Sequence, residues 1–198
     1  MDLKTHLNIS TLLMENLTRT TRENLAAFWF RLGSITPDIN PYHRVQPHHA
    51  RHSKKHIEKY LNKISEGSAG PKRLSYYLGI TSHFLSDTFC LMHNHASGKN
   101  PRRHYRYERD LSGFFKSFSD IICFRAANQN SPFDEAKGQQ LIDYILNENR
   151  RYSASQKNKA DLDYMTTDIT YTVHMCLNVL TEMLMRNPFS AITEKTAA

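Results

Sequence analysis

The stretch HFLSDTFCLMHNH, residues 83–95, sets His83, Asp87, His93 and His95 into an otherwise apolar segment. His83 and Asp87 are four apart, so on a helix they share a face one turn from each other. His93 lies ten residues past His83, close to three turns, and so returns roughly to that face. His104 and Glu108 repeat the His-x-x-x-carboxylate spacing a short way on. Two helices with this spacing, joined by a short loop, can point five ligands at a shared centre, and helix bundles build metal sites in this way. A lone His on an apolar face is more often a hydrogen-bonded core residue, and Asp87 could be its ion-pair partner. That pairing explains two residues and leaves His93 and the second His-x-x-x-Glu unexplained. An unpaired carboxylate among Phe84, Leu85, Phe89 and Leu91 would also be costly. Imidazole and carboxylate without thiolate point to zinc, with manganese, iron or nickel as alternatives. Such sites generally keep a coordination position open, as catalytic zinc does. Two or more ions at close range suit phosphoryl chemistry, because they activate a water and hold the oxygens of a phosphate ester.

Helices must carry these residues. Leu12, Leu13 and Leu17, then Leu25, Phe28, Trp29 and Leu32, recur at three- and four-residue spacing. Thr20 or Thr21 is expected to start the second of these helices and Gly33 to end it. SITPDINPYHRVQPHH follows with three prolines and no periodicity, which predicts a loop. A helix is expected from Ala50 to about Ser65, closed by Gly67, and Pro71 then opens the long helix that carries the histidine motif. ASGKNPRR, residues 96–103, predicts a second break. Further helices are expected over 104–125, 132–151 and 160–186, with no strand alternation, repeat or low-complexity tract. The expected fold is an all-α, single-domain helical bundle over 1–190 with long ligand-bearing loops (33–49 and 96–103), followed by a flexible tail over 191–198.

At this point the residues resemble the bacterial zinc-dependent phospholipases C, a family distantly similar to single-strand-specific zinc nucleases. HFLSDTFCLMH here corresponds to HYLGDVNQPMH in that pattern, followed by His104-x-x-x-Glu108. The family also has a loop aspartate followed fourteen residues later by a histidine, a separation that Asp38 and His52 share. His6 in THLNIS matches a further histidine near the family's N-terminus. The resemblance implies an all-helical phosphodiesterase that uses three zinc ions. Asp38, His52, His83 and Asp87 would hold the first, and His93, His104 and Glu108 the second. His6 and Asp87 would contribute to the third, with Asp87 bridging two ions. Asp38 would also orient or deprotonate the attacking water. His48 and His49 compete with His52 for the loop position. The family completes its third site with the amino group and carbonyl of an N-terminal tryptophan; here Met1 begins the chain and Trp29 lies inside a helix. That departure leaves two or three zinc ions as the expectation. Choline-preferring members carry an aromatic residue after the loop aspartate, where Ile39 stands here, and a second aromatic contact where His49 stands.

The remaining features bound the function. The chain has 198 residues, 39% hydrophobic and 23% charged, enough for a globular core. Its net charge of +7 suggests an anionic partner, either a phosphate ester or an acidic membrane surface touched peripherally, and nucleic acid less strongly. No apolar run is long enough to span a membrane. Cys90, Cys123 and Cys176 are dispersed and read as buried thiols, not as a disulfide framework. The first residues, MDLKTHLNIS, lack a signal-peptide pattern, so a cytoplasmic location is expected if the native chain starts at Met1, and secretion if a leader is removed. Phospholipase C-type cleavage of a phospholipid headgroup is the leading expectation. The alternatives are a metal-dependent nuclease or nucleotide phosphodiesterase, for which Tyr105, Tyr107 and Tyr152 could stack on bases, and a non-catalytic, metal-stabilised domain that binds lipid or protein.

Overall fold

The computed structural model describes residues 1–40, 50–67, 69–94, 100–118, 138–156 and 161–186. Among them all regular structure is helical: α1 (Leu3–Asn16), α2 (Arg19–Glu23), α3 (Ala27–Ile39), α4 (Ala50–Ser65), α5 (Pro71–Thr88), α6 (Leu91–Asn94), α7 (Pro101–Phe118), α8 (Gly138–Ser155) and α9 (Asp161–Met185). The all-α expectation holds. None of these helices is long and apolar enough to cross a membrane.

α5 is the central helix. It is buried without interruption from Leu78 to Thr88, and α3, α4 and α9 pack around it. Its sequence suits that position. Pro71 sits in the first turn, where a missing N–H leaves no gap. The buried hydroxyls of Thr81, Ser86 and Thr88 each donate to the carbonyl four residues back, so none needs water. α1 packs on α3, α7 and α9, and α4 on α8. The apolar faces meet in a cluster that includes Leu13, Phe30, Leu78, Leu85, Phe89, Leu111 and Val173.

The predicted stop at Gly33 is corrected. α3 runs on through Gly33 and Pro37 to Ile39, so Asp38 sits on the last helical turn and not in a loop. Gly33 is small for a different reason: α3 crosses α5 there. A Cβ on Gly33 would stand 2.2 Å from the Tyr76 carbonyl oxygen, and one on Gly79 would stand 2.1 Å from that of Phe30. The two glycines let the helix backbones touch. The expected start of the second helix also moves. Thr18 caps the short α2 by accepting from the Thr21 N–H, while the Ala26 N–H ahead of α3 donates to Ser75 Oγ.

Elsewhere α4 and the entry to α5 fall where expected, and Gly67 adopts φ 68°, a left-handed conformation suited to glycine after a helix. α7 begins at Pro101, three residues ahead of the expected start. The predicted boundaries at 125, 132 and 160, the loop over 41–49 with His43, His48 and His49, His95, Cys123 and the tail lie outside the described residues. Cys90 and Cys176 are buried free thiols.

Candidate metal centre

Five helices converge on one polar pocket beside this core. α1 brings His6, the end of α3 brings Asp38, and α5 brings His83 and Asp87. α6 brings His93, and α7 brings His104 and Glu108. The long helix does not carry His93 as expected. It breaks at Phe89 and Cys90, and α6 resumes as a separate turn. His93 still reaches the pocket, with Nε2 3.5 Å from Asp87 Oδ1.

The donor atoms form two groups, His6/His83/Asp87 and His93/His104/Glu108, each drawn together within 4.8 Å. In the first, His6 Nε2 lies 3.5 Å from Asp87 Oδ1, and His83 Nε2 lies 3.4 Å from Asp87 Oδ2. Asp38 stands at its edge, 3.9 Å from His6 Nε2 and 3.8 Å from His83 Nε2. The imidazoles of His6 and His83 stack with ring centroids 3.9 Å apart, close for two groups that could each carry a proton. In the second group, Glu108 Oε1 accepts from His104 Nε2 at 2.7 Å and lies 3.3 Å from His93 Nε2. Asp87 faces both groups.

Protonation states follow from this geometry. His83 Nδ1 is 2.9 Å from the Ser34 carbonyl oxygen, which can only accept, so Nδ1 donates there and Nε2 faces the two aspartates. Burial, reinforced by the neighbouring His83, lowers the His6 pKa to about 4. Burial also lowers that of His93. Both rings are therefore neutral near pH 7, the form a metal needs. Burial works against ionisation of Glu108, but the α-ammonium of Met1 and hydrogen bonds from His104 and His93 outweigh it and hold the carboxyl well below its usual range. That ammonium lies 2.6 Å from Asp87 Oδ1, 2.8 Å from His93 Nε2 and 3.1 Å from Glu108 Oε1. A cationic group thus sits where the carboxylates and imidazoles converge.

The donor set fits zinc. Tetrahedral zinc with bonds of about 2.0–2.2 Å spaces its ligand atoms about 3.3–3.5 Å apart, and the imidazole nitrogens around Asp87 lie 3.4–3.5 Å from its oxygens. His6 Nε2 and Asp38 Oδ2 are shielded from solvent yet have no hydrogen-bond partner. A cation between His6 and Asp38 would give both atoms a partner.

His52 joins neither group and is exposed on the first turn of α4. His56, one turn further, stacks flat on Phe84 at 4.4 Å, beside His83. His174 is exposed on α9 and bonds Asn178. Three contributors were not anticipated from the sequence. They are the Ser34 carbonyl, the Met1 amino group and Asp168, a fully buried carboxylate on α9. Asp168 is flanked by Thr166, Thr167 and Thr170, so its sequence context gave no signal of burial.

The sequence pattern of the family described as zinc dependent phospholipase C matches residues 5–174, and the chain belongs to that family. A solved structure, alpha toxin from Clostridium absonum, shares the fold with a TM-score of 0.60 at 15% sequence identity. The match covers 94% of this chain and 64% of that one, so this chain corresponds to somewhat under two thirds of the toxin's length. No curated protein sequence matches significantly.

Proposed function

We propose that this chain hydrolyses the phosphodiester of a phospholipid headgroup in phospholipase C fashion, with zinc held by His6, Asp38, His83 and Asp87 on one side and by His93, His104 and Glu108 on the other. The observation that carries this reading is the placement of Asp87: its two oxygens lie 3.4–3.5 Å from imidazoles of both groups. Bound zinc would lower the pKa of a water and offset charge on the phosphoryl oxygens.

The protein side chains supply the rest. His6, His83 and Asp87 are sealed from solvent, so the first group excludes bulk water on its inner side. Asp38, Glu108 and His104 are 22%, 15% and 27% exposed, and they mark the open side by which an ester can enter. Asp38 stands at this opening, with a carboxylate able to orient the attacking water and accept its proton. The nuclease reading loses its stacking surface. Tyr107 and Tyr152 are buried with their hydroxyls bonded to Asp168, and of the three tyrosines only Tyr105 is exposed.

The test uses the purified full chain loaded with zinc. Short-chain phospholipid micelles should release water-soluble phosphate ester, chelation should stop the release, and zinc should restore it. Asp38→Asn should keep most of the zinc and lose turnover. A zinc-loaded chain that leaves phospholipid intact, or that cleaves single-stranded DNA instead, would overturn the proposal.

A further inference from the structure

Asp168 is fully buried in the first third of α9, and each of its oxygens takes two donors. Oδ2 accepts from the Tyr107 hydroxyl at 2.7 Å and the Leu91 N–H at 2.9 Å. Oδ1 accepts from the Tyr152 hydroxyl at 2.6 Å and Gln156 Nε2 at 2.9 Å. A carboxylate has about four lone-pair positions, and all are met. Two of these donors bear directly on the second donor group. Leu91 opens α6, the turn that carries His93 two residues later. Tyr107 immediately precedes Glu108 on α7 and lies three residues after His104. The other two donors belong to α8 and the residue just beyond it, which contribute nothing to the group.

We infer that Asp168 is a positioning residue for the His93/His104/Glu108 group, fixing α6 and α7 to each other through Oδ2. This rests on reading that group as a metal centre. α6 needs such a tie because the helix has broken at Phe89 and Cys90, so its first N–H has lost the partner a continuous helix would provide. The far end of the turn is tied separately. Asn94 Nδ2 donates to the carbonyls of Thr88 and Cys90, and Asn149 Nδ2 donates to Thr88 O and Asn94 Oδ1. Asp168 is the shared anchor that joins the near end of α6 to α7. Outer partners that orient metal ligands typically contribute about 10–100-fold in affinity.

The two tyrosines allow a clean test. Tyr107→Phe and Tyr152→Phe each remove one hydroxyl from the same carboxylate and keep the ring. A purely structural Asp168 predicts the same result for both. Zinc affinity, measured on the full chain by competition with a chromophoric chelator, should fall by about 10–100-fold at one site in Tyr107→Phe and by less than threefold in Tyr152→Phe. Cobalt substituted into that site should show altered visible bands in Tyr107→Phe only. Asp168→Asn should weaken the same site, and if it fails to fold the tyrosine pair still decides. Wild-type protein that binds no zinc would overturn the metal-centre reading and this inference with it. Wild-type protein that binds zinc, with tyrosine variants that behave alike, would overturn the positioning role alone.

Discussion

Asp87 and Asp168 are both helical carboxylates with no solvent exposure, and they are stabilised in different ways. Asp168 meets four protein donors and is complete as folded. Asp87 meets imidazole nitrogens and a cationic amine, with Glu108 and Asp38 close behind. A buried carboxylate surrounded by N–H and O–H groups is a structural joint. A buried carboxylate shared among imidazoles and an ammonium sits in surroundings that suit a bound cation. The contrast distinguishes a candidate metal ligand from a structural joint by geometry alone.

The most severe way to break this contrast is to remove Asp87. Asp87→Ala removes the carboxylate that His6, His83 and His93 all face and should strip zinc from both groups. The several kcal/mol of charge stabilisation that a metal supplies corresponds to roughly a 1,000-fold loss of activity or more. Zinc per chain by elemental analysis, beside phospholipid turnover, checks this. An Asp87→Ala protein that keeps its full zinc would show that the carboxylate is an ion-pair partner and no bridge.

Protonation gives a second handle, of opposite sign at the two places. In metal-free protein the His6 pKa is lowered from 6.5 to about 4, so the unfolded chain binds the extra proton between those values. The stability this provides is complete above about pH 6.5 and disappears as pH falls to about 4. For Asp168, burial outweighs the hydrogen bonds from Tyr152, Leu91, Tyr107 and Gln156 and raises the pKa from 3.8 to about 6. There the folded state binds the proton more tightly, so stability is lost as pH rises from about 4 to 6. Each displacement corresponds to about 3 kcal/mol. Urea unfolding of metal-free protein at several pH values should show the stability of wild type relative to His6→Asn growing with pH, and relative to Asp168→Asn shrinking. The same slope in both comparisons would refute the distinction.

The candidate ligands were more legible in the sequence than the groups that hold them in place. The His-x-x-x-carboxylate spacing survives folding because it is set by one turn of helix, so His83/Asp87 and His104/Glu108 needed no tertiary information. His6 and Asp38 meet them across long sequence separations, and those positions came from the family resemblance. The Asp38 backbone was misjudged. Gly33 and Pro37 are stop signals in a sequence, but a helix crossing at Gly33 and Gly79 overrides them, and that crossing exists only once α5 is in place. The break at Phe89 was missed because FCLM continues an apolar pattern, while the groups that satisfy the interrupted backbone, Asp168 and Asn149, lie about sixty residues or more further along the chain. Tyr107 and Tyr152 look like surface aromatics until the carboxylate between them is known.

The crossing supplies the mildest and most selective perturbation. The first donor group depends on α3 and α5 meeting closely, because Asp38 comes from one and His83 and Asp87 from the other. Gly79 is one turn before His83, and a methyl there would press on the Phe30 carbonyl oxygen and on the Ser34 N–H, the latter at 2.8 Å. Ser34 is also the residue whose carbonyl orients His83. Gly79→Ala should therefore cost about 1–3 kcal/mol of stability, the usual range for overpacking. It should also weaken zinc at the first group while leaving the second group, anchored through Asp168, nearly unchanged. Tyr107→Phe should produce the mirror-image pattern. Chelator competition on the two variants side by side resolves the pair. If both variants weaken the same site, the two groups share one support, and the division between a crossing that builds the first and a carboxylate that builds the second is wrong.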